Sequence, residues 1–352
     1  MSAKKRTIDA FFGVPKTSAH EIVKKPRASP TVAPSFGSKG DQVEDPGSDE
    51  VVEYSIHPTY PFPIAHLPSS LSTELPSLPS SIGKPMTDQP DLDLLYFEPY
   101  LPRSSARGLF EFLRSSLPFY RVEYDIKRGG ISTHIRTPRW TTVFGLDETS
   151  RFSGDEGATD IVDAQTGRKV VGDRYYARYA PRPIPACLDA LRRSCEAAAG
   201  CAFNFCLVNY YAGGADSISY HSDDERFLGP DPAIASFSLG ARRDFYMKHK
   251  PPPKTQDATA SSAPAEAKPL KLPLGSGDMI LMRGSTQANW LHSIPKRSGK
   301  NAEDGGRINI TFRRAMVKSG TENYYNYNVG AGPVYRWDVV NREMRQWEKP
   351  SS

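Results

Sequence analysis

The sequence has no long apolar run, and this absence excludes several classes of protein. Nowhere do about 18 consecutive apolar residues occur, the length that a membrane span needs, and the basic N-terminus lacks the apolar stretch of a secretion signal. Cysteine is scarce, and its four positions match no zinc-binding spacing: they are Cys187, Cys195, Cys201 and Cys206. We therefore expect a soluble, intracellular chain with reduced thiols and no membrane contact.

The first 90 residues are poor in apolar periodicity and rich in proline and serine, with thirteen of each. Such a composition buries too little apolar surface to offset the entropy lost on folding, so residues 1–90 are predicted to be a disordered tail. The globular part is then 91–352, which is enough for one enzyme-sized domain. The net charge of +5 permits nucleic-acid binding without requiring it.

Two helices and a series of short strands are predicted within the globular part. Ser104 or Ser105 is placed to cap the first helix, and Gly200 is placed to end the second. Beyond Gly200, at least six β-prone runs are separated by turn signals, which favours an antiparallel sandwich or barrel. These runs are Phe205–Tyr211, Ser217–His221, Ile234–Leu239, Asp244–His249, Met279–Met282 and Ile308–Phe312. A Pro- and Ala-rich segment at 250–268 is predicted to be a surface insertion.

Three residues are candidates for a divalent metal site. His221 and Asp223 are two positions apart, so on a strand both side chains lie on one face and can reach one point. His292 is the natural third ligand. Two histidines and one carboxylate leave coordination positions open for substrates, the arrangement used for non-haem Fe(II). The pair alone is weak evidence, because most isolated strand histidines are simply hydrogen-bonded.

The segment 307–313 strengthens this hypothesis. As a strand it places Arg307, Asn309, Thr311 and Arg313 on one face, and the other face is apolar. Two guanidinium groups facing an interior need anions, and a dicarboxylic acid supplies them through paired hydrogen bonds. A surface strand with a solvated polar face is the alternative. Asn209 and Tyr211 also share a face and can add hydrogen bonds to the same acid.

These residues resemble the signature of the AlkB family of Fe(II)/2-oxoglutarate dioxygenases. The resemblance covers about residues 91–318. Within the family, the sequence is similar to the eukaryotic members that repair alkylated DNA. Further matching pieces are Ser222–Glu225, Ile234–Ser236, Gly240–Ala241 and Pro138–Arg139.

The resemblance implies a fold, a cofactor set and site residues. The implied fold is mainly β with flanking helices (α+β): a double-stranded β-helix (jelly-roll or cupin-like) core at 201–318, a nucleotide-recognition lid within 91–200, and a C-terminal extension at 319–352. Fe(II) would be held by His221, Asp223 and His292. The co-substrate 2-oxoglutarate, used together with O2, would be bound by Leu207, Asn209, Tyr211, Arg307, Asn309 and Arg313. The implied reaction hydroxylates an N-methyl group of a base and releases formaldehyde and succinate.

Substrate residues follow partly from charge. Methylation at N1 of adenine or N3 of cytosine makes the base cationic, so an acid beside the metal favours the damaged base. Glu225 and Asp224 are the candidates, and the alternative is that one or both simply pair with Arg226 or Arg242. An extruded base needs aromatic stacking, for which Trp140, Tyr175, Tyr176 and Tyr179 are candidates. Arg139 is expected to meet a phosphate. Methylated RNA is the alternative substrate, and a non-catalytic clamp- or nucleic-acid-binding module is the alternative of a different class.

The tail carries two short motifs. Residues 5–12 resemble the box that docks on the replication sliding clamp, with Ile8, Phe11 and Phe12 as its apolar anchors; Lys5 stands where that box usually has Gln. A basic cluster at 24–27 is either a nuclear import signal or a solvated patch. Together they predict a nuclear protein that binds the clamp. Aromatic residues after Ala315, among them Tyr324 and Tyr325, suggest packing against the barrel or a binding surface.

Overall fold

The computed structural model describes residues 52–153, 160–170, 176, 179–251, 267–298 and 305–349. These residues belong to one compact unit. The clamp-like box at 5–12, the basic cluster at 24–27 and most of the insertion at 250–268 lie outside the described residues. Among the residues described, none of the helices has the length and apolar character that crossing a bilayer requires.

The helices begin and end where local chemistry allows. The helices are α1 (Ser69–Ser72), α2 (Arg103–Ser116), α3 (Ala186–Ala199), α4 (Thr286–Asn289) and α5 (Glu322–Asn328). Gly200 ends α3 with a φ of 68°, the left-handed conformation predicted for it. α2 starts directly after Pro102 and has no side-chain cap. The predicted cap at Ser104 or Ser105 was therefore wrong, because Ser105 is turned inward and donates its hydroxyl to Glu74.

Within the described residues the chain forms twenty strands, most of them short. In chain order they are β1 (Tyr54–Ser55), β2 (Ile64–Ala65), β3 (Lys84–Met86), β4 (Leu94–Phe97), β5 (Phe119–Tyr120), β6 (Glu123–Arg128), β7 (Ile131–Arg136), β8 (Trp140–Gly145), β9 (Ser150–Phe152), β10 (Ile161–Asp163), β11 (Phe205–Tyr211), β12 (Ile218–His221), β13 (Ile234–Gly240), β14 (Arg243–His249), β15 (Leu270–Leu274), β16 (Met279–Met282), β17 (Trp290–Ile294), β18 (Arg307–Arg313), β19 (Val334–Asp338) and β20 (Glu343–Gln346). All six predicted runs are strands, and each predicted boundary agrees with the observed one or differs from it by one residue.

Two sheets form the centre of the molecule. The major sheet has the order β20-β19-β5-β8-β11-β18-β13-β16-β4-β3, and the minor sheet has the order β12-β17-β14-β15. From β11 to β18 the chain passes back and forth between them, with the hairpin of β14 and β15 lying wholly in the minor sheet, and the neighbouring strands of this core run antiparallel. This alternation makes the predicted jelly-roll core, mainly β with flanking helices.

The major sheet has two differently covered faces. On the outward face, Ile308, Ile310 and Phe312 of β18 join a core that includes buried residues of α2 and α3. On the inward face, Leu207 and Asn209 of β11 lie opposite Thr311 and Asn309 of β18. Since neighbouring side chains alternate between faces, the polar residues of both strands are directed toward the space between the sheets.

The ordered part begins earlier than the composition predicts. Residues 52–90 were assigned to a disordered tail, yet Tyr60, Phe62, Ile64 and Leu75 are buried in the domain. The Tyr60 hydroxyl donates to the carbonyl of Pro183 at 2.8 Å. The tail boundary at 90 was wrong because these apolar residues follow no helix or strand period, and they are covered by distant parts of the chain.

The C-terminal extension joins the same fold. β19 pairs with β5 and with β20, which lengthens the major sheet by two strands. α5 packs against β8: the Thr141 hydroxyl donates to the carbonyl of Asn328 at 2.6 Å, and the Tyr325 hydroxyl donates to the carbonyl of Gly145 at 2.9 Å. The extension therefore covers part of the inward face of the major sheet.

Candidate active site

The fold brings His221, Asp223 and His292 together. His221 ends β12 and lies opposite His292 of β17 in the strand register. Asp223 follows two residues after His221. One ligand atom from each residue lies within 4.8 Å of the others, and Nε2 of His292 is 3.8 Å from Oδ2 of Asp223. The three candidates therefore converge, although His292 is about 70 positions from the other two in the sequence. We call these three side chains the metal cluster.

Neighbouring groups orient each of these side chains. Nδ1 of His221 donates to the carbonyl of Ser219 at 2.9 Å, which leaves its Nε2 with a free lone pair. The ring of Phe245 stacks on His292 with centroids 5.3 Å apart. The amide of Asp223 donates to Oε1 of Gln287 at 2.9 Å. A metal-binding histidine commonly donates its second ring N–H to a carbonyl, as His221 does here.

The local electrostatics favour the protonation states that metal ligands require. Burial lowers the pKa of His221, and burial together with the adjacent His221 lowers the pKa of His292 to about 3. Burial acts to raise the pKa of Asp223, but Arg313 and the two histidines outweigh it, and the pKa is lowered. Two neutral imidazoles beside one carboxylate make the donor set that suits Fe(II).

Two buried arginines lie on β18, and one of them contacts this cluster. Nη2 of Arg313 is 3.0 Å from Oδ2 of Asp223, and Nη2 of Arg307 donates to the hydroxyl of Ser238 at 2.8 Å. Both side chains are at most 2% exposed. Nε and Nη1 of Arg307 and Nε of Arg313 have no hydrogen-bond partner. Buried donors without partners cost free energy, so these groups fit a ligand that carries carboxylates.

The remaining predicted 2-oxoglutarate residues line the same space. Leu207, Asn209 and Tyr211 alternate along β11 on its inward face. The side-chain amide of Asn309 donates to the hydroxyl of Ser236 and to the carbonyl of Phe237, both at 3.0 Å. The guanidinium of Arg307 lies 5.5 Å from the ring centre of Tyr211. The set therefore forms one wall, with Arg307 and Arg313 at the two ends of β18.

The two candidate acids are placed differently. Asp224 is exposed, and Nζ of Lys250 is 2.8 Å from its Oδ2. Glu225 is half-buried: the Tyr324 hydroxyl donates to its Oε1 at 2.6 Å, while Oε2 is buried without a partner. Burial, followed by the charge of Asp223, raises the pKa of Glu225 to about 7. Of the two acids, only Glu225 lies against the metal cluster.

Trp140 was wrong as a stacking candidate. It lies opposite Tyr210 in the register, on the outward face of the major sheet, and its ring is 4.6 Å from that of Tyr335. The side chain next to it, Thr141, takes the inward face. A single position decides the face in a strand, and the start of β8 is not visible in the sequence.

Tyr176 and Arg139 have contacts that the sequence does not indicate. Tyr176 is buried, and its hydroxyl donates to Asp147, whose carboxylate also accepts from the amide of Ser319. Tyr176 and the C-terminal extension thus meet at Asp147. Nε of Arg139 donates to Oδ1 of Asn209 at 2.8 Å, so this predicted phosphate contact is directed into the pocket. Tyr175 lies outside the described residues.

Two site residues were missed at the sequence level. Gln287 of α4 holds the backbone of Asp223, and no sequence pattern marks it. Tyr324 of α5 contacts both Glu225 and Arg313. Its position in an aromatic-rich extension is the one signal that could have indicated it.

Comparisons with known proteins agree with this geometry. The sequence profile of the 2OG-Fe(II) oxygenase superfamily matches residues 93–313. The chain is 32% identical over 260 residues to the DNA oxidative demethylase ALKBH2 of Arabidopsis thaliana, covering 68% of this chain and 72% of that protein.

Two human proteins match a shorter part. The human DNA oxidative demethylase ALKBH2 is 37% identical over 138 residues, which cover 39% of this chain and 49% of that protein. The human alpha-ketoglutarate-dependent dioxygenase alkB homolog 3 is 39% identical over 142 residues, covering 39% and 46%. The chain thus spans about half the length of these human relatives.

One solved structure, described as "The structure of OsALKBH1", aligns over 63% of this chain and 97% of its own. The TM-score is 0.34 and the identity 16%. That likeness is too low to bear on the fold, which rests on the strand order given above.

Proposed function

The chain belongs to the 2OG-Fe(II) oxygenase superfamily and is an AlkB-like dioxygenase, and from this premise we propose that it demethylates N-methylated bases in DNA. The family uses Fe(II), 2-oxoglutarate and O2. The observation that carries the proposal is the convergence of His221, Asp223 and His292, together with two buried arginines on β18 that have unpaired N–H groups. The name "DNA oxidative demethylase", carried by the Arabidopsis and one of the human relatives, supports the choice of substrate.

The residues of the chain have separate parts in this reaction. His221, Asp223 and His292 would hold Fe(II), and Arg307 and Arg313 would bind the two carboxylates of 2-oxoglutarate. When bound, the metal and its co-substrates supply the oxidising power that hydroxylates the N-methyl carbon. The hydroxymethyl group then leaves the base as formaldehyde. The chain contributes orientation and a pocket from which water is largely excluded.

A buried acid supports a cationic substrate. Methylation at N1 of adenine or N3 of cytosine gives the base a positive charge, and Oε2 of Glu225 is buried without a partner. An unpaired acceptor in a buried site attracts a cation more strongly than it does in water. We therefore assign 1-methyladenine and 3-methylcytosine as substrates, with Glu225 as the recognising acid. The exposed Asp224 has no such role, because Lys250 already pairs with it.

The target base must leave the helix to reach the pocket. The metal cluster is buried between two sheets, so the enzyme acts on single strands or extrudes the base from a duplex. Arg139 and Tyr176 remain candidates for contacts with the nucleotide. RNA is the second candidate substrate, because a pocket for a single extruded base tolerates both sugars.

The two tail motifs support a proposal about where in the cell the enzyme acts. Residues 5–12 carry Ile8, Phe11 and Phe12 in the spacing of a clamp-binding box, and 24–27 is a basic cluster. We propose a nuclear enzyme that is brought to the sliding clamp by this box. Replacing Phe11 and Phe12 by Ala in the full chain should abolish co-purification with the clamp and leave turnover on short oligonucleotides unchanged. Undiminished co-purification would refute the assignment.

The test of the main proposal is a panel of methylated oligonucleotides. Matched DNA and RNA, single- and double-stranded, carry 1-methyladenine or 3-methylcytosine, and formaldehyde and succinate are measured with and without Fe(II) and 2-oxoglutarate. We expect iron-dependent formaldehyde release that is greater on DNA than on RNA. The same chemistry with a preference for RNA would establish the second candidate. No succinate on any methylated substrate would leave only a non-catalytic nucleic-acid-binding module.

A further inference from the structure

Tyr324 lies outside the part of the chain that matches the superfamily. The match ends at Arg313, whereas Tyr324 belongs to α5 in the C-terminal extension. Its side chain is nevertheless almost fully buried. The ring packs edge-on against Phe205 and Phe227, at centroid distances of 5.4 and 5.5 Å. A segment beyond the matched domain therefore delivers a side chain to the edge of the metal cluster.

The Tyr324 hydroxyl joins two oppositely charged groups. It accepts a hydrogen bond from Nη1 of Arg313 and donates its proton to Oε1 of Glu225 at 2.6 Å. The guanidinium of Arg313 lies 5.0 Å from the centre of the tyrosine ring. Because the hydroxyl is both acceptor and donor, one oxygen atom stands between the cation and the acid.

The position of the hydroxyl determines which hydrogen-bonding atoms of Arg313 and Glu225 remain without a partner. Arg313 keeps Nη2 on Asp223 at 3.0 Å, and its Nε stays without a partner. Glu225 has one oxygen occupied by the tyrosine, and the other is buried and unpaired. Without the hydroxyl, the guanidinium and the carboxylate would be free to pair directly, since opposite charges attract strongly where water is excluded. Such a pair is commonly bidentate and would then occupy both carboxylate oxygens, including the one that is otherwise open.

The position of Tyr324 is set by hydrogen bonds elsewhere in α5. The side-chain amide of Asn328 donates to the carbonyl of Tyr324 at 3.0 Å. The carbonyl of Asn328 accepts from Thr141 of β8 at 2.6 Å, and Tyr325 bonds to Gly145 at the end of the same strand. The helix is thus attached to β8 at two points, Thr141 and Gly145.

We propose that Tyr324 is a positioning residue that makes the enzyme select cationic methylated bases over neutral ones, by holding Glu225 away from Arg313 so that one carboxylate oxygen remains open to the base. The inference rests on the proposed demethylase function. It assigns to the C-terminal extension a part in substrate choice, with no part in the chemistry itself.

The experiment compares Tyr324→Phe with the neighbouring Tyr325→Phe. Each variant loses one buried hydroxyl from α5 and keeps its ring, but Tyr325 bonds only to backbone groups of Gly145 and Arg182. Single-stranded oligonucleotides carry either 3-methylcytosine, which is cationic, or 3-methylthymine, which is neutral and similar in shape. The measurements are kcat/KM for both bases and fluorescence anisotropy of binding without 2-oxoglutarate.

In Tyr324→Phe we expect the ratio of kcat/KM for 3-methylcytosine over 3-methylthymine to fall about tenfold, the effect of one hydrogen bond to a charged group. The binding ratio measured by anisotropy should fall in the same direction. Tyr325→Phe should lower the melting temperature and leave both ratios within about twofold of the wild type.

A second variant shows whether Tyr324 acts through Glu225. In a Glu225→Gln background the carboxylate charge is gone, so the additional Tyr324→Phe change should alter the ratio by less than about twofold. If Tyr324→Phe keeps the wild-type ratio, or changes it equally in both backgrounds, the inference is overturned. If the wild type itself turns over neither base, the proposed function has failed, which is a separate result.

Discussion

On its outward face, β18 presents Ile308, Ile310 and Phe312 to the core beneath α2 and α3. On its inward face it presents Arg307 and Arg313, and Arg313 contacts Asp223 of the metal cluster. Both faces are buried to a similar degree. The outward side chains belong to an apolar core, whereas the inward arginines retain N–H groups without partners. A fold that leaves buried donors unpaired gives up stability there, and this points to a ligand that completes the hydrogen bonding.

The comparison predicts that substitutions on the inward face abolish or change activity at little cost in stability. Substitutions on the outward face should lower stability and leave activity nearly unchanged.

Asp223→Ala should give the largest effect. We expect formaldehyde release to fall by at least about 1,000-fold, because even residues that only orient a metal ligand contribute about 10- to 100-fold. Circular dichroism should report an unchanged fold. The matched control is Asp224→Ala, which removes an exposed partner of Lys250 and should retain activity within about twofold. Full activity of Asp223→Ala would exclude this metal site.

Phe312→Ala tests the outward face. Deleting a buried phenylalanine leaves a cavity, so the free energy of unfolding should fall by about 3–5 kcal/mol, as measured by urea denaturation. The activity of the protein that remains folded should stay within about twofold of the wild type. A fall in activity per folded molecule as large as that of Asp223→Ala would remove the distinction between the two faces.

Arg307→Met tests the unpaired guanidinium. We expect KM for 2-oxoglutarate to rise about 10- to 100-fold, since a charge-assisted contact is worth about 1.5–3 kcal/mol. In the absence of 2-oxoglutarate the melting temperature should be unchanged or raised, because an apolar side chain replaces a buried and incompletely paired charge. Added 2-oxoglutarate should raise the melting temperature of the wild type more than that of the variant. A lowered melting temperature with an unchanged KM would mean that Arg307 is only structural.

Glu225→Gln should give the smallest of these effects and tests the charge rather than the shape of the pocket. Turnover of 3-methylcytosine should fall about tenfold, and turnover of neutral 3-methylthymine should change by less than about threefold. The readout is kcat/KM on single-stranded oligonucleotides that differ only in the methylated base. Equal losses on both bases would show that Glu225 supports the site without reading its charge.

Much of the core and the metal cluster could be predicted from strand alternation. The two-residue spacing of His221 and Asp223, and the four polar positions of β18, are local patterns that a strand turns into shared faces. Where the pattern was weak, prediction failed. Trp140 was assigned to the pocket although it faces outward, and Tyr60 and Ile64 were assigned to a disordered tail although the domain buries them.

The contacts of α5 show a second reason why prediction from the sequence failed: they join segments that no local pattern relates. Tyr324 follows Arg313 by only eleven positions, but its contact with Glu225 spans 99 positions. No periodicity relates these residues, because their meeting depends on how the extension folds back across β8. The same holds for Gln287, which reaches the backbone of Asp223 from a short helix.

Residue types at strand spacing, together with the family resemblance, were sufficient to predict the reaction class, because a metal site and a diacid site require particular donors at particular positions. The folded domain was needed to show which of the two adjacent acids lies against the metal ligands, which face of the major sheet carries Trp140, and that Tyr324 lies between Arg313 and Glu225. Alternation along a strand is a local property that the backbone imposes on every pair of neighbours. Contacts between distant segments depend instead on the packing of the whole domain.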